Sequence, residues 1–244
     1  MKKRILGGVL WGLAVIARAS GDSPLTLQGD VGMALYRTPA ITRTDDKQNV
    51  VLPYVYADYG SAYARVDTFG IKMMPLGAGH LELAGRVSFE GYQSTLANIG
   101  TRSTPRPLGL GTYQETAYGA FFLYSFYDII SQGTLLDGTY AAEFDVGPVH
   151  VYPQIGLERR SAKYVQHLYG VSAAEAASSG LRAYAPNAST TPSLALAFEY
   201  PLSDNLNVML QFKKKWLDKS LTDSPLVDTK SQTSSFLAVT RSFK

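Results

Sequence analysis

Residues 205–216 read Asn-Leu-Asn-Val-Met-Leu-Gln-Phe-Lys-Lys-Lys-Trp, with Leu206, Val208, Leu210, Phe212 and Trp216 on one side and Asn205, Asn207, Gln211, Lys213 and Lys215 on the other. Successive side chains of an extended strand point to opposite faces, so a period of two marks a strand with one apolar face. The pattern recurs along the chain. Leu81, Leu83, Val87 and Phe89 oppose Glu82, Arg86, Ser88 and Glu90. Tyr140, Ala142, Phe144 and Val146 oppose Glu143 and Asp145, and Leu194, Leu196, Phe198 and Tyr200 oppose Ser193, Ala195, Ala197 and Glu199. The chain is all-β.

Alternation does not say which face is inside. A soluble sandwich buries the apolar face, whereas a membrane barrel turns it to lipid and encloses the polar one. Three features favour the membrane. Several runs reach the ~9–11 residues that a tilted strand needs to cross hydrocarbon. Tyrosines fall near strand ends (Tyr36, Tyr54, Tyr56, Tyr59, Tyr63, Tyr92, Tyr200), as interfacial aromatic girdles would require. Tight turns at Tyr59-Gly60-Ser61, Gly147-Pro148 and Ser203-Asp204-Asn205 alternate with long polar stretches at 38–48, 93–112, 165–190 and 220–229. The inward residues are then Glu82, Arg86, Glu90, Glu143, Asp145, Glu158, Glu199, Lys213 and Lys215, of both signs and able to pair across a narrow interior.

Composition agrees. Lys2, Lys3 and Arg4 precede an apolar run from Ile5 to Ala17 that is too short for a permanent span, and Ala17-Arg18-Ala19 has the small-x-small form of a cleavage site. Residues 1–19 read as an export signal, with the mature chain starting near Ser20. The whole chain carries +3; the signal holds four basic residues and no acid, which leaves −1. The basic balance therefore gives no support to nucleic-acid binding, and Lys213-Lys214-Lys215 reads as a solvated strand end. Cysteine is absent, so an exported fold must rely on a large core or on closed backbone pairing. Residues 20–244 read as one barrel domain.

Strand count follows from parity. Long runs read directly give ten strands, near 25–36, 50–58, 62–74, 80–91, 114–126, 134–146, 149–163, 191–201, 205–217 and 231–243. With both termini periplasmic, ten strands would put the long 93–112 loop on the periplasmic side, against the habit of bacterial barrels. Splitting 62–79 around Phe69-Gly70 and 114–133 near Tyr124-Ser125 moves that loop outward and gives twelve. The expectation is a closed antiparallel transmembrane β-barrel of twelve strands, with ten as the alternative. Ser172, Glu175 and Gly180 form a capping box and a stop, so a short helix at 173–179 is expected in one long extracellular loop.

Catalytic chemistry finds little support. His80, His150 and His167 are the only histidines, and none has metal-ligand spacing to another His or Cys. Asp45-Asp46, Asp223 and Asp228 lack the pattern of a cation loop, and Gly109-Leu110-Gly111 lacks the context of a phosphate cradle. No catalytic, cofactor-binding or metal residue is assigned, no cofactor is expected, and the chain reads as no enzyme.

The long loop carries a resemblance. Tyr164, Tyr169-Gly170-Val171-Ser172, Ala176, Ser179-Gly180-Leu181 and Tyr184, with Leu52-Pro53-Tyr54 through Tyr59-Gly60 and Asp223-Ser224-Pro225-Leu226-Val227, run in the same order as in the MipA/OmpV family of outer-membrane proteins, which this sequence resembles. Two departures are Lys244 after Phe243, where an aromatic end is usual, and Arg37-Thr38-Pro39-Ala40 without the Tyr-x-Gly that often follows the proline. The resemblance implies a cell-outer-membrane protein surrounded by lipid. It implies a scaffold that bridges a lytic transglycosylase and a penicillin-binding protein in murein remodelling, with no nucleic-acid partner. A passive small-solute channel or a surface adhesin is the alternative.

Overall fold

The alternating runs pair edge to edge into one sheet that closes on itself. The computed structural model describes residues 25–43 and 49–243; the export signal, the Ser20 start and Asp45-Asp46 lie outside them. The strands are β1 (Leu27–Arg37), β2 (Asn49–Tyr59), β3 (Ala62–Arg65), β4 (Thr68–Leu76), β5 (Gly79–Arg86), β6 (Pro107–Thr116), β7 (Gly119–Asp128), β8 (Gly133–Ala141), β9 (Phe144–Val146), β10 (Val149–Arg160), β11 (Ser189–Ser203), β12 (Leu206–Trp216) and β13 (Ser231–Phe243). Helices α1 (Ala162–Tyr169), α2 (Ala173–Ser179) and α3 (Lys219–Thr222) lie between strands on one side. Both β8 and β9 pair with β10 and together form a single wall strand, so the barrel has twelve. Antiparallel pairing of β1 with β13, from Gly29↔Phe243 to Arg37↔Ser235, closes the ring.

The apolar face looks outward. Val31, Met33 and Leu35 on β1 are exposed while Ala34 between them is buried, and Leu194 and Leu196 on β11 flank the buried Ala195. Closure joins the two ends of the sheet, so most of the wall has no free edge, and a strand protein closed in this way can sit in lipid. Long connections and helices gather on one side, and the described chain ends and tight turns on the other. Outer-membrane barrels turn the long loops outward and the turns to the periplasm.

Twelve strands were expected, but both added turns lie elsewhere. β3 turns into β4 at Val66-Asp67, not at Phe69-Gly70, and β6 turns into β7 at Ala117-Tyr118, not at Tyr124-Ser125. Val66 takes a left-handed φ of 58° without being a glycine or asparagine, so composition gives no signal there. The loop expected at 93–112 runs from 87 to 106, because Leu108-Gly109-Leu110-Gly111 is strand. Leu108 and Leu110 meet lipid, and the ring of Tyr124 lies over Gly111. A Cβ at 111 would fall 1.9 Å from Tyr124 Cδ1. Gly111→Ala is expected to displace that ring and lower stability by ~1–3 kcal/mol, read as a lower urea midpoint in lipid vesicles.

The tyrosine girdle holds only in part. Tyr59 and Tyr200 are exposed on the outer surface at the turn side, whereas Tyr54 and Tyr63 are buried within the barrel. Tyrosine here lines the lumen as much as it rings the membrane.

Candidate functional site

Inside the ring, charged side chains pair in tiers. Lys72 meets Asp58 at 2.6 Å, and Arg65 grips both carboxylate oxygens of Glu82 at 2.9 Å. Tyr124 donates to the same carboxylate at 2.8 Å. Arg86 reaches Asp137 at 3.0 Å, joining β5 to β8 past the inner face of β6 and β7. Arg160 bonds Glu90 and, at 2.8 Å, Glu158, which also receives Lys215 at 3.4 Å. Glu82, Arg86, Glu90, Glu158 and Lys215 were expected to face inward, and all five do. Their partners Asp58, Arg65, Lys72, Asp137 and Arg160 were missed; once the turn at Val66-Asp67 is known, alternation places Arg65 and Lys72 on the same inner face.

Above these tiers the barrel mouth is stoppered. α1 turns Tyr164, Val165, Leu168 and Tyr169 down onto Tyr124, Phe126, Leu135 and Leu221. Tyr164, Val165 and Leu168 are 0% exposed. Alternation predicts a strand over 149–163 followed by loop; the structure ends β10 at Arg160 and starts a helix at Ala162. The spacing of those four apolar residues (i, i+1, i+4, i+5) is the sequence signal of this helix.

Four loops lock the stopper into one cap. Tyr92 donates to the Leu168 carbonyl at 2.6 Å, and Ser224 to that of Tyr169 at 2.6 Å. Val171 pairs with Tyr184, Thr42 with Val227, and Tyr184 donates to the Ser220 carbonyl at 3.0 Å. Leu226 packs with Ile99 and Val171. The short helix forms as expected over Ala173–Ser179: Ser172 Oγ accepts from the Glu175 N–H, Glu175 accepts from the Ser172 N–H, and Gly180 ends it at φ 75°.

Glu175 also accepts from Arg102 at 2.9 Å and from the Gly100 N–H at 3.1 Å. Partial burial alone would raise its pKa, but these donors overcome it and hold the carboxyl at about 2, below the usual 4.5. A depressed carboxyl stabilises the fold above its unfolded pKa and loses that contribution as pH falls toward the folded one. The cap is therefore expected to loosen between about pH 4.5 and about 2. Amide exchange at Gly100 and Ser172, corrected for intrinsic rate, should accelerate across that window, and Glu175→Gln should abolish the step.

Beneath the cap lies a cavity of about 1910 Å³. Tyr164, Tyr169 and Leu221 bound it on the loop side, and its lining reaches Glu115–Gly119 and Tyr140–Asp145 on the turn side. The three histidines stay apart, on β5, β10 and α1. His80 offers its carbonyl to Thr112, and His167 Nε2 lies 2.7 Å from the Ser103 carbonyl. His150 sits opposite Asp145 in the β9–β10 hairpin, its Nδ1 2.7 Å from Asp145 Oδ1 and 4.0 Å from Glu143. That trio has the donor set of a divalent-cation site, and the hairpin register, invisible in spacing alone, assembles it. Asp223 and Asp228 do not converge: Asp223 meets Lys219 at 3.7 Å, and the Asp228 N–H serves the Ile41 carbonyl.

Two of the three segments that carry the family resemblance, Tyr164 through Tyr184 and Asp223 through Val227, thus lie in the cap, while the third, Leu52 through Gly60, lies on β2 and the turn after it. The sequence profile of the family described as MltA-interacting protein MipA matches residues 31–243. The chain belongs to this family. The MltA-interacting protein of Escherichia coli (strain K12) is 36% identical over 98 residues, a match spanning 40% of each chain. The putative outer membrane protein YiaT of Escherichia coli O157:H7 is 21% identical over 185 residues, 72% of this chain and 75% of that one. Among solved structures, an anion-selective porin from Comamonas acidovorans aligns at 14% identity with a TM-score of 0.36, covering 87% of this chain and 56% of the porin. As a MipA family barrel with an outward apolar belt, the chain is a protein of the outer membrane.

Proposed function

We propose that this barrel is a non-enzymatic scaffold of murein remodelling, docking a lytic transglycosylase and a penicillin-binding protein from its periplasmic side. The observation that carries the reading is the stopper: side chains without solvent exposure fill the outer mouth, an arrangement suited to a rigid platform and ill suited to a passage. MipA family membership and a relative named for interaction with MltA supply the kind of partner. Among the described residues, His150 pairs with the acids Asp145 and Glu143 and not with a serine, threonine or cysteine, whereas nucleophilic hydrolysis needs nucleophile, base and oxyanion donors to converge. The test pairs two measurements. The purified barrel should retain a lytic transglycosylase that an unrelated barrel of similar size does not, and planar bilayers holding it should show no steady single-channel openings. Steady openings without retention would replace the scaffold by the small-solute channel.

A further inference from the structure

The barrel wall has a gap on its loop-side half. β3 has only four residues and pairs with β2 through Tyr56–Tyr59 alone. The last contact of β2 on this side is the Val66 N–H donating to the Val55 carbonyl at 2.8 Å. Beyond it, the Asn49–Tyr54 edge facing β3 has no strand partner among the described residues. On the far side β5 ends at Arg86, and Val87 makes one bond, to the Asp67 carbonyl. Two strands are therefore missing above the Val66-Asp67 turn, leaving up to ~14 Å between β2 and the run after β5 at ordinary strand spacing. Thr95 and Ser94, both bonded to the Arg43 carbonyl, close the gap above.

The cavity lining places the lumen beside the gap. Pro53 and Val55 pair with Met33 and Val31, which are exposed on the lipid face, yet Pro53, Val55, Val66 and Val87 all line the lumen cavity. Val66, Val87 and Phe89 border the unpaired stretch, are exposed, and line the same cavity, so the cavity extends to the edge of the gap. The β1 register also fixes the height: Pro53 and Val51 lie level with Met33 and Leu35 in the apolar belt, and Asn49 with Arg37 at its upper edge.

The opening is built for lipid and not for another strand. Val55 aims its carbonyl at the gap, so Pro53, two residues away, aims its backbone there as well. Proline has no N–H to offer, which both blocks strand addition and removes a donor that would be costly unpaired at this depth. Val51, Val66, Val87 and Phe89 around the opening are exposed and apolar. Just inside, the otherwise charged lumen changes character: Tyr36, Tyr54, Met209 and Phe236 form an apolar wall, with Phe236 5.4 Å from Tyr36 and 6.5 Å from Tyr54 between ring centroids.

We propose that this gap is a lateral portal through which the acyl chain of a membrane lipid enters the lumen and lies along the Tyr36–Tyr54–Phe236 wall. The cap closes the lumen to water-borne solutes from outside, while the portal opens it to the hydrocarbon. The test is quenching by phospholipid brominated along its acyl chains, with Trp11 and Trp216 replaced by Phe and one new tryptophan in the full-length barrel. Phe236→Trp should lose emission in brominated vesicles, whereas Thr139→Trp, which lines the cavity on β8, four strands round the ring from β13, should not. Unchanged emission at 236 overturns the proposal. Should that variant misfold, the cysteine-free chain permits a second measurement. Tyr36→Cys should react with a long-chain alkyl maleimide dissolved in the bilayer and Thr139→Cys should not; equal rates at the two positions overturn the proposal.

Discussion

Glu82→Ala is expected to destabilise the barrel by ~3–5 kcal/mol, the range for removing one partner of a buried ion pair. Glu82 is 1% exposed and Arg65 is 6% exposed, so the guanidinium left behind has little access to water. It is also confined from both sides, 4.1 Å from the Tyr63 ring centroid and 4.8 Å from that of Tyr113. Tyr124 would lose its acceptor in the same step. Removing both charges should cost less, because the buried pair itself is offset by the desolvation of two ions. Urea unfolding in vesicles of Glu82→Ala, Arg65→Met and the double variant checks this: the double should be milder than Glu82→Ala alone. Costs that simply add would show that the two residues are not a coupled pair.

The barrel was legible in the sequence because its determinant is local. Alternation at Leu206–Trp216 and Leu194–Tyr200 assigns each side chain to a face, and an apolar face that long needs lipid or a core of its own. The capping box at Ser172 and Glu175 was legible for the same reason: the two groups lie three residues apart on one turn. What stayed hidden depends on pairing between distant segments. No composition rule marks Val66-Asp67 as a turn; Val66 accepts a left-handed φ because β4 must return beside β3. Gly109 and Gly111 read as loop residues, yet they are strand glycines over which Ser125 and Tyr124 approach closely. α1 was lost because its apolar face answers to the barrel interior, where Tyr124, Phe126 and Leu135 arrive from β7 and β8. The short β3 and its consequence, an open wall, follow from register alone.

Tyr164→Ala combined with Leu168→Ala is expected to undock the cap and turn a closed barrel into a conducting one. Each side chain is fully enclosed, and such truncations cost ~2–5 kcal/mol apiece through lost burial and the cavity left behind. α1 keeps few other ties to the wall: Ser161 Oγ accepts from the Thr134 N–H and its own N–H donates to the Thr134 carbonyl, both at 2.9 Å, and Arg160 donates to the Tyr169 hydroxyl at 3.5 Å. The bond from Tyr164 to Glu90, in the loop after β5, is removed by the substitution. The wall strands keep their ladders, because neither residue belongs to a strand. Heat-modifiable migration should therefore persist while protease begins to cut within residues 161–188. In planar bilayers the native barrel should be silent and the double variant should open steadily, since the cavity below the stopper already reaches the turn-side rim. An intact, protease-sensitive variant that stays silent would mean that something other than α1 closes the lumen. The paired charges of Arg86, Asp137, Glu158 and Arg160 would then be the barrier to examine, because they span the interior just beneath.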